Sequence, residues 1–158
     1  VTNYWLLKSE PSVFSIDDLA RQGDAIWDGV RNYQARNHLR TAQIDDLAFF
    51  YHSSNELTGI AGLCKVVAAN VDDPTQFDPK SDYYDPKSTM DAPRWQTVKV
   101  AFVEKFKRVI ALDELKATFT PDELMVVRKG MRLSVMPVDA AAAARLLQMA
   151  RLQQIPHG

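Results

Sequence analysis

Leu47-Ala48-Phe49-Phe50-Tyr51-His52, followed after a short polar break by Thr58-Gly59-Ile60-Ala61-Gly62-Leu63-Cys64-Lys65-Val66-Val67, is the stretch on which the fold turns. Both segments are apolar almost without interruption, which suits strands covered on two sides. Ser53, Ser54 and Asn55 end the first. A loop of about five residues between them has the length that joins antiparallel neighbours. The second segment continues to Val71, and Gly59 and Gly62 inside it mark a bulge or a close backbone approach. Simple alternation places Ala61, Leu63 and Val67 on one face and Ile60, Cys64 and Val66 on the other.

Toward the N-terminus, residues 3–8 carry Tyr4-Trp5-Leu6-Leu7-Lys8, a strand apolar on both faces, ended by Ser9-Glu10-Pro11. Ser15 with Asp18 forms a capping-box pattern for a short helix reaching Gln22, where Gly23 stops it. Ala25-Ile26-Trp27 reads as a brief extended entry. Asn32 then caps a helix over Tyr33 to Ala42, with Asn32, Arg36 and Arg40 along one face and Ala35, Leu39 and Ala42 along another.

Toward the C-terminus, residues 72–93 hold four prolines and six aspartates with little periodicity, and such length without regular structure is often functional. Tyr83 and Tyr84 sit in its middle. A long strand follows from Arg94 to Lys107, then a short helix at Leu112–Lys116 and a second capping box at Thr120-Pro121-Asp122-Glu123. Met131–Val135 reads as the last strand, and Asp139 caps an alanine-rich helix through about Leu152. Strands dominate, without βαβ alternation. One mixed α/β domain over residues 1–158, built on a curled sheet or small β-barrel, is the expected architecture.

The balance of charges, −1 net over 158 residues, excludes a protein that coats nucleic acid by bulk positive charge. Basic residues nonetheless gather at 27–40, at 105–108 and at Arg128, Lys129 and Arg132, while six aspartates crowd residues 72–91. No run reaches the roughly 18 residues of a membrane span, and Val1–Trp5 lacks the pattern of a secretory signal. The single cysteine excludes an internal disulfide. A cytoplasmic protein is expected, or a nuclear one in a eukaryote, with no membrane partner.

Catalytic and cofactor signatures are sparse. His38, His52 and His157 share no ligand spacing, no phosphate-cradling glycine loop is present, and the aspartates lack calcium-loop spacing. No metal and no cofactor are expected. Cys64, in an apolar strand, reads as an inert small residue. Lys8 and Glu10 admit an acid–base reading and a surface ion-pair reading. The aromatic set of Trp5, Trp27, Tyr33, Tyr51, Tyr83, Tyr84 and Trp95 falls mostly at element ends. Such plates beside Asn and Ser suit a flat heterocycle, with stacking worth roughly 1–3 kcal/mol per base. Each ring also has a reading as ordinary core.

Taken together, Tyr4–Pro11, Trp27–Asn37, Phe50–Ser53, Gly59–Gly62, Tyr84–Lys87, Pro93–Trp95 and Arg132–Val135 closely resemble the EVE domain family, over about residues 3–149. Two departures stand out. Asp45-Asp46 replaces the usual Gly-Asp, and Ala144 stands where a tryptophan is common. The resemblance implies a PUA-like fold, kinship with YTH domains, and a non-enzymatic reader of a modified base in DNA or RNA, such as 5-methylcytosine or 5-hydroxymethylcytosine. Carried onto these positions, Trp27 would be a stacking wall, with Tyr51 or Trp95 as a second. Ser9, Asn32 and the backbone through Gly29 and Val30 would meet the base edge. Lys8, Arg31, Arg36 and Arg40 would meet phosphates. Two alternatives stay open: an amidohydrolase acting on a modified nucleoside, as in the related ASCH domains, and a small-molecule binding module using the same pocket. Oligomeric state is left open.

Overall fold

The two apolar segments do become neighbours in the computed structural model, which describes residues 2–53 and 58–151. In chain order the strands are β1 (Tyr4–Ser9), β2 (Asp24–Ile26), β3 (Leu47–His52), β4 (Gly59–Asp72), β5 (Gln96–Ala111) and β6 (Val135–Val138). The helices are α1 (Ile16–Gln22), α2 (Tyr33–Thr41), α3 (Leu112–Thr118) and α4 (Ala140–Arg151). The strands form one mixed sheet in the order β2-β5-β4-β3-β1-β6. It is open at both edges, so the curled-sheet reading holds and the closed-barrel alternative does not. β3 runs antiparallel to β4 but parallel to β1. A parallel pair needs a long crossover, which α1, β2 and α2 supply.

Continuous apolarity follows from burial on both faces. Trp5 and Leu7 of β1, with Ala48 and Phe50 of β3, pack on one side against Ile16, Leu19, Ala35 and Leu39 of α1 and α2. Leu6, Phe49 and Tyr51 point the other way, onto Leu115 of α3 and Ala142, Ala143 and Leu146 of α4. The alternation predicted within β4 holds only in part. Phe50 pairs with Gly62 and Tyr51 with Ile60, so Ala61 is an extra residue and the faces swap there. Ile60 therefore shares a core with Leu63, while Ala61 joins Cys64 and Val66. Gly62 is required at this bulge: a Cβ would lie 2.5 Å from the Glu104 carbonyl oxygen of β5.

Predicted helix ends are largely reproduced. Ser15 and Asp18 form the full capping box of α1, Gly23 closes it at φ 84°, and Asn32 Oδ1 accepts the Ala35 N–H at 3.0 Å to cap α2. The box at Thr120–Glu123 also forms, but it closes a turn rather than opening a helix. Leu124, Val126 and Val127 are drawn into the core just after it. The last strand begins at Val135 rather than ending there. It lies at an edge, where Pro137 is tolerated.

Both departures from the family pattern have visible settings. Asp45 adopts φ 78°, the left-handed conformation that glycine takes without penalty. Asp46 is 2% exposed and accepts from Trp5 Nε1 at 2.9 Å and from the Gln43 and Asn3 backbone. Ala144 is exposed on α4. The predicted break at Ser54 and Asn55, and Leu152 and His157 beyond α4, lie outside the described residues. Among the described residues no helix is long and apolar enough to cross a membrane.

Candidate nucleic-acid interface

Trp27 leaves β2 and is pinned at once: its N–H donates to Val98 O at 2.9 Å and its carbonyl accepts from Thr97 Oγ1 at 2.5 Å. The indole is only 6% exposed, edge-on to Phe50 at 5.3 Å and to Phe14 at 6.4 Å. Beside it, Gly29 takes φ 81° and donates its N–H to Asp73 Oδ2 at 2.8 Å. A Cβ there would lie 2.7 Å from the Tyr83 ring. Val30 is half-buried against the Trp27 core. Asn32 is exposed, with its oxygen committed to the cap and its amide N–H groups left as donors. Ser9 Oγ donates to Phe14 O at 2.6 Å, tying the end of β1 to the same neighbourhood. Asp28, at the mouth of this loop, has its carboxyl pushed up by partial burial and by the charge of Asp73.

The two further aromatic walls expected from sequence do not join Trp27. Tyr51 lies in the core on the opposite face of the sheet, because successive residues of β3 alternate sides. Trp95 is as buried as Trp27, at 6% exposed, but Tyr33 already stacks on its face at 4.9 Å and 16°, and its Nε1 donates to Asp85 Oδ2 at 2.7 Å.

Two of the expected phosphate ligands hold the protein itself. The Arg31 guanidinium donates to Asp73 Oδ2 at 3.0 Å, to Thr75 Oγ1 at 3.0 Å and to Tyr83 O at 2.7 and 2.9 Å. It also lies 5.2 Å from the Trp95 ring. Arg36 donates to Arg94 O at 2.9 Å and covers Tyr33 at 4.6 Å. Together they staple residues 73–95 to the start of α2. Arg40 is exposed and spends Nε on Gln96 Oε1 at 2.6 Å. Lys8 is half-buried, 5.6 Å from the Tyr51 ring and 3.3 Å from Met131 O, and burial holds its ammonium pKa below the ordinary value. It makes no ion pair with Glu10. Cys64 is fully enclosed, its thiol pushed up to about 12 by burial.

Lys8 and Tyr51 instead open onto a cavity of about 650 Å³ whose rim carries Lys116, Arg128, Lys129 and Arg132. Sequence reasoning recorded the 128–132 cluster but had no means of bringing Lys8 and Lys116 to it.

His52 ends β3 buried, its Nε2 accepting the Ile16 N–H at 3.1 Å. Only a neutral ring can accept there, and burial lowers its pKa, with Lys105 also lowering it and Asp17 raising it. The unfolded chain therefore binds the proton first as pH falls. This stabilisation is complete above the unfolded value of 6.5 and is lost below it, toward the depressed folded value. Urea midpoints should decline as pH drops from 7 into this window, and His52→Gln should flatten that decline. An identical slope in the variant would exclude His52 as its source.

A mixed six-stranded sheet with helices on both faces and the end of β1 set beside the Trp27 loop is a PUA-like α/β domain. The chain belongs to the EVE domain family, whose sequence profile matches residues 3–149. Thymocyte nuclear protein 1 of Mus musculus is 46% identical over 156 residues, covering 87% of this chain and 69% of that protein. A solved Pseudomonas syringae protein is 51% identical with TM-score 0.89, covering 93% of this chain and 99% of its own. Human THYN1, solved in complex with 5-methylcytosine containing DNA, is 42% identical with TM-score 0.87, covering 97% and 100%. The Pho92 YTH domain, solved with m6A, is 12% identical with TM-score 0.56 and shares the fold alone.

Proposed function

We propose that this chain is a non-enzymatic reader of a modified base in DNA or RNA. The observation that carries this reading is the 42% identity, across 97% of the chain, to human THYN1 solved with 5-methylcytosine containing DNA. The surroundings of Trp27 are compatible with it. One indole, a glycine turn in the left-handed conformation and the unspent donors of Asn32 offer stacking and edge recognition, and Cys64 is too enclosed to act as a nucleophile. In this reading Trp27, Ser9, Gly29, Val30 and Asn32 meet the base, and Lys8 and Arg40 meet phosphate. Arg31 and Arg36 act by holding the loop in place, and Tyr51 and Trp95 support the fold.

Fluorescence anisotropy with matched oligonucleotides, modified and plain, single- and double-stranded, DNA and RNA, tests the proposal. One modified base should bind more tightly than its plain counterpart, and equal affinity across the panel would sink the reading. Asn32→Ser gives a sharper test, because serine caps a helix as well as asparagine does while losing the amide donors. Stability should change by no more than a few tenths of a kcal/mol. Preference for the modified base should shrink by about tenfold, the worth of one hydrogen bond to a buried base edge.

A further inference from the structure

Lys8, Lys116, Arg128, Lys129 and Arg132 border the 650 Å³ cavity, and no carboxylate lines it. None of the five makes an ion pair among the described residues. Lys116, Arg128, Lys129 and Arg132 are exposed around the half-buried Lys8, whose ammonium partial burial weakens. An entering anion relieves that penalty and meets one sign of charge around the rim. The arrangement is selective about which anion. The Arg132 guanidinium fork matches the paired oxygens of a phosphate, Arg128 keeps its terminal nitrogens for one while Nε donates to Pro121 O at 3.0 Å, and the exposed lysines add point charges. The floor is apolar, with Phe119, Val126 and Val127 beside Tyr51. Its volume falls within the roughly 300–1,000 Å³ of small-ligand sites, far more than a bare ion fills. A phosphate attached to a sugar uses both the rim and the floor.

We propose that this cavity holds a phosphate ester and, resting on the base-reader reading above, that the backbone of the bound strand supplies it. Lys8 and Ser9 are consecutive at the end of β1 and point to opposite faces of the sheet. A strand crossing that end meets the base-reading rim through Ser9 and the cationic cavity through Lys8. The cavity contributes affinity without sequence information, as backbone contacts do.

The test is the double variant Lys116→Gln/Arg132→Gln, at two exposed positions outside any described ion pair. Binding is measured over a salt series for modified and plain oligonucleotides. Both affinities should fall by the same factor, about tenfold or more, and the slope of log K against log salt should drop by about one per lost phosphate contact. Asn32→Ser should leave that slope unchanged. A double variant with wild-type affinity and slope, on an oligonucleotide the wild type binds, overturns the cavity proposal and leaves the base reader standing. A second arm titrates a nucleoside 5′-monophosphate while following the Lys8 side-chain NMR signals, which wild type and double variant share. Perturbation in wild type that the double variant abolishes, with no oligonucleotide binding, supports the phosphate-ester site and sinks the base reader instead. Absence of response to both ligands overturns the cavity proposal.

Discussion

Asp73→Ala should lower the unfolding free energy by about 3 kcal/mol, at the lower end of the cost of breaking a buried ion pair. Asp73 is 1% exposed, and both carboxylate oxygens are used. Oδ2 accepts from Gly29 N at 2.8 Å and from Arg31 Nη1 at 3.0 Å; Oδ1 accepts from Thr75 N at 2.8 Å and Thr75 Oγ1 at 2.6 Å. Truncation strands a guanidinium that is 21% exposed, together with a backbone N–H beside the base-reading rim. The Arg31 side chain keeps its two bonds to Tyr83 O, which is why the lower end applies. Asp73→Asn keeps the shape but loses the charge, and should cost about 1–3 kcal/mol. The measurement is the urea midpoint at constant m-value. An unchanged midpoint for Asp73→Ala would show that the carboxylate does not hold the 73–95 segment to the Trp27 loop.

That network also marks the boundary of what the sequence discloses. The strands β3 and β4, the α1 and α2 caps and the apolar first four residues of β1 are written in local patterns, and local patterns are what periodicity and capping rules detect. Arg31 is different. It reads as a free cation on a helix start, and its partner Asp73 is 42 residues away, in a stretch whose aspartates look like solvated surface. Gln76 is another such residue, fully buried and bonded to the backbone of Asp73, Arg94 and Trp95, without any local signal of that role. The single extra residue at Ala61 swapped faces that alternation alone assigns, because two glycines announce a bulge without saying which side of it keeps register. The basic cavity draws on residues 8, 116 and 128–132, which meet only once the sheet has formed. The strand parity of Phe50 and Tyr51 was readable in advance. What it meant for Trp27 required knowing on which face the β2 loop lands.

Phe50→Ala should be the most damaging of the single substitutions, and it reaches the site without touching a ligand. Phe50 is 0% exposed, edge-on to Trp27 at 5.3 Å and His52 at 5.5 Å, and 6.2 Å from Phe14. Removing a buried phenyl ring costs about 3–5 kcal/mol, since the lost transfer energy is joined by the cavity left behind. That cavity would open directly beneath the Trp27 indole, which would lose an aromatic contact worth about 0.5–1.5 kcal/mol beyond its area. Base preference should therefore fall along with stability. Phe50→Leu separates the two effects. Leucine refills much of the space and should recover most of the stability, within about 1.5 kcal/mol of wild type, while giving no ring edge to Trp27. Denaturation midpoints and oligonucleotide affinities measured on the same folded samples resolve them. If Phe50→Leu binds modified and plain strands as wild type does, Trp27 is held by packing volume and the edge contact is dispensable. If preference drops in a variant that remains folded, the aromatic cluster behind the indole is part of how the base is read.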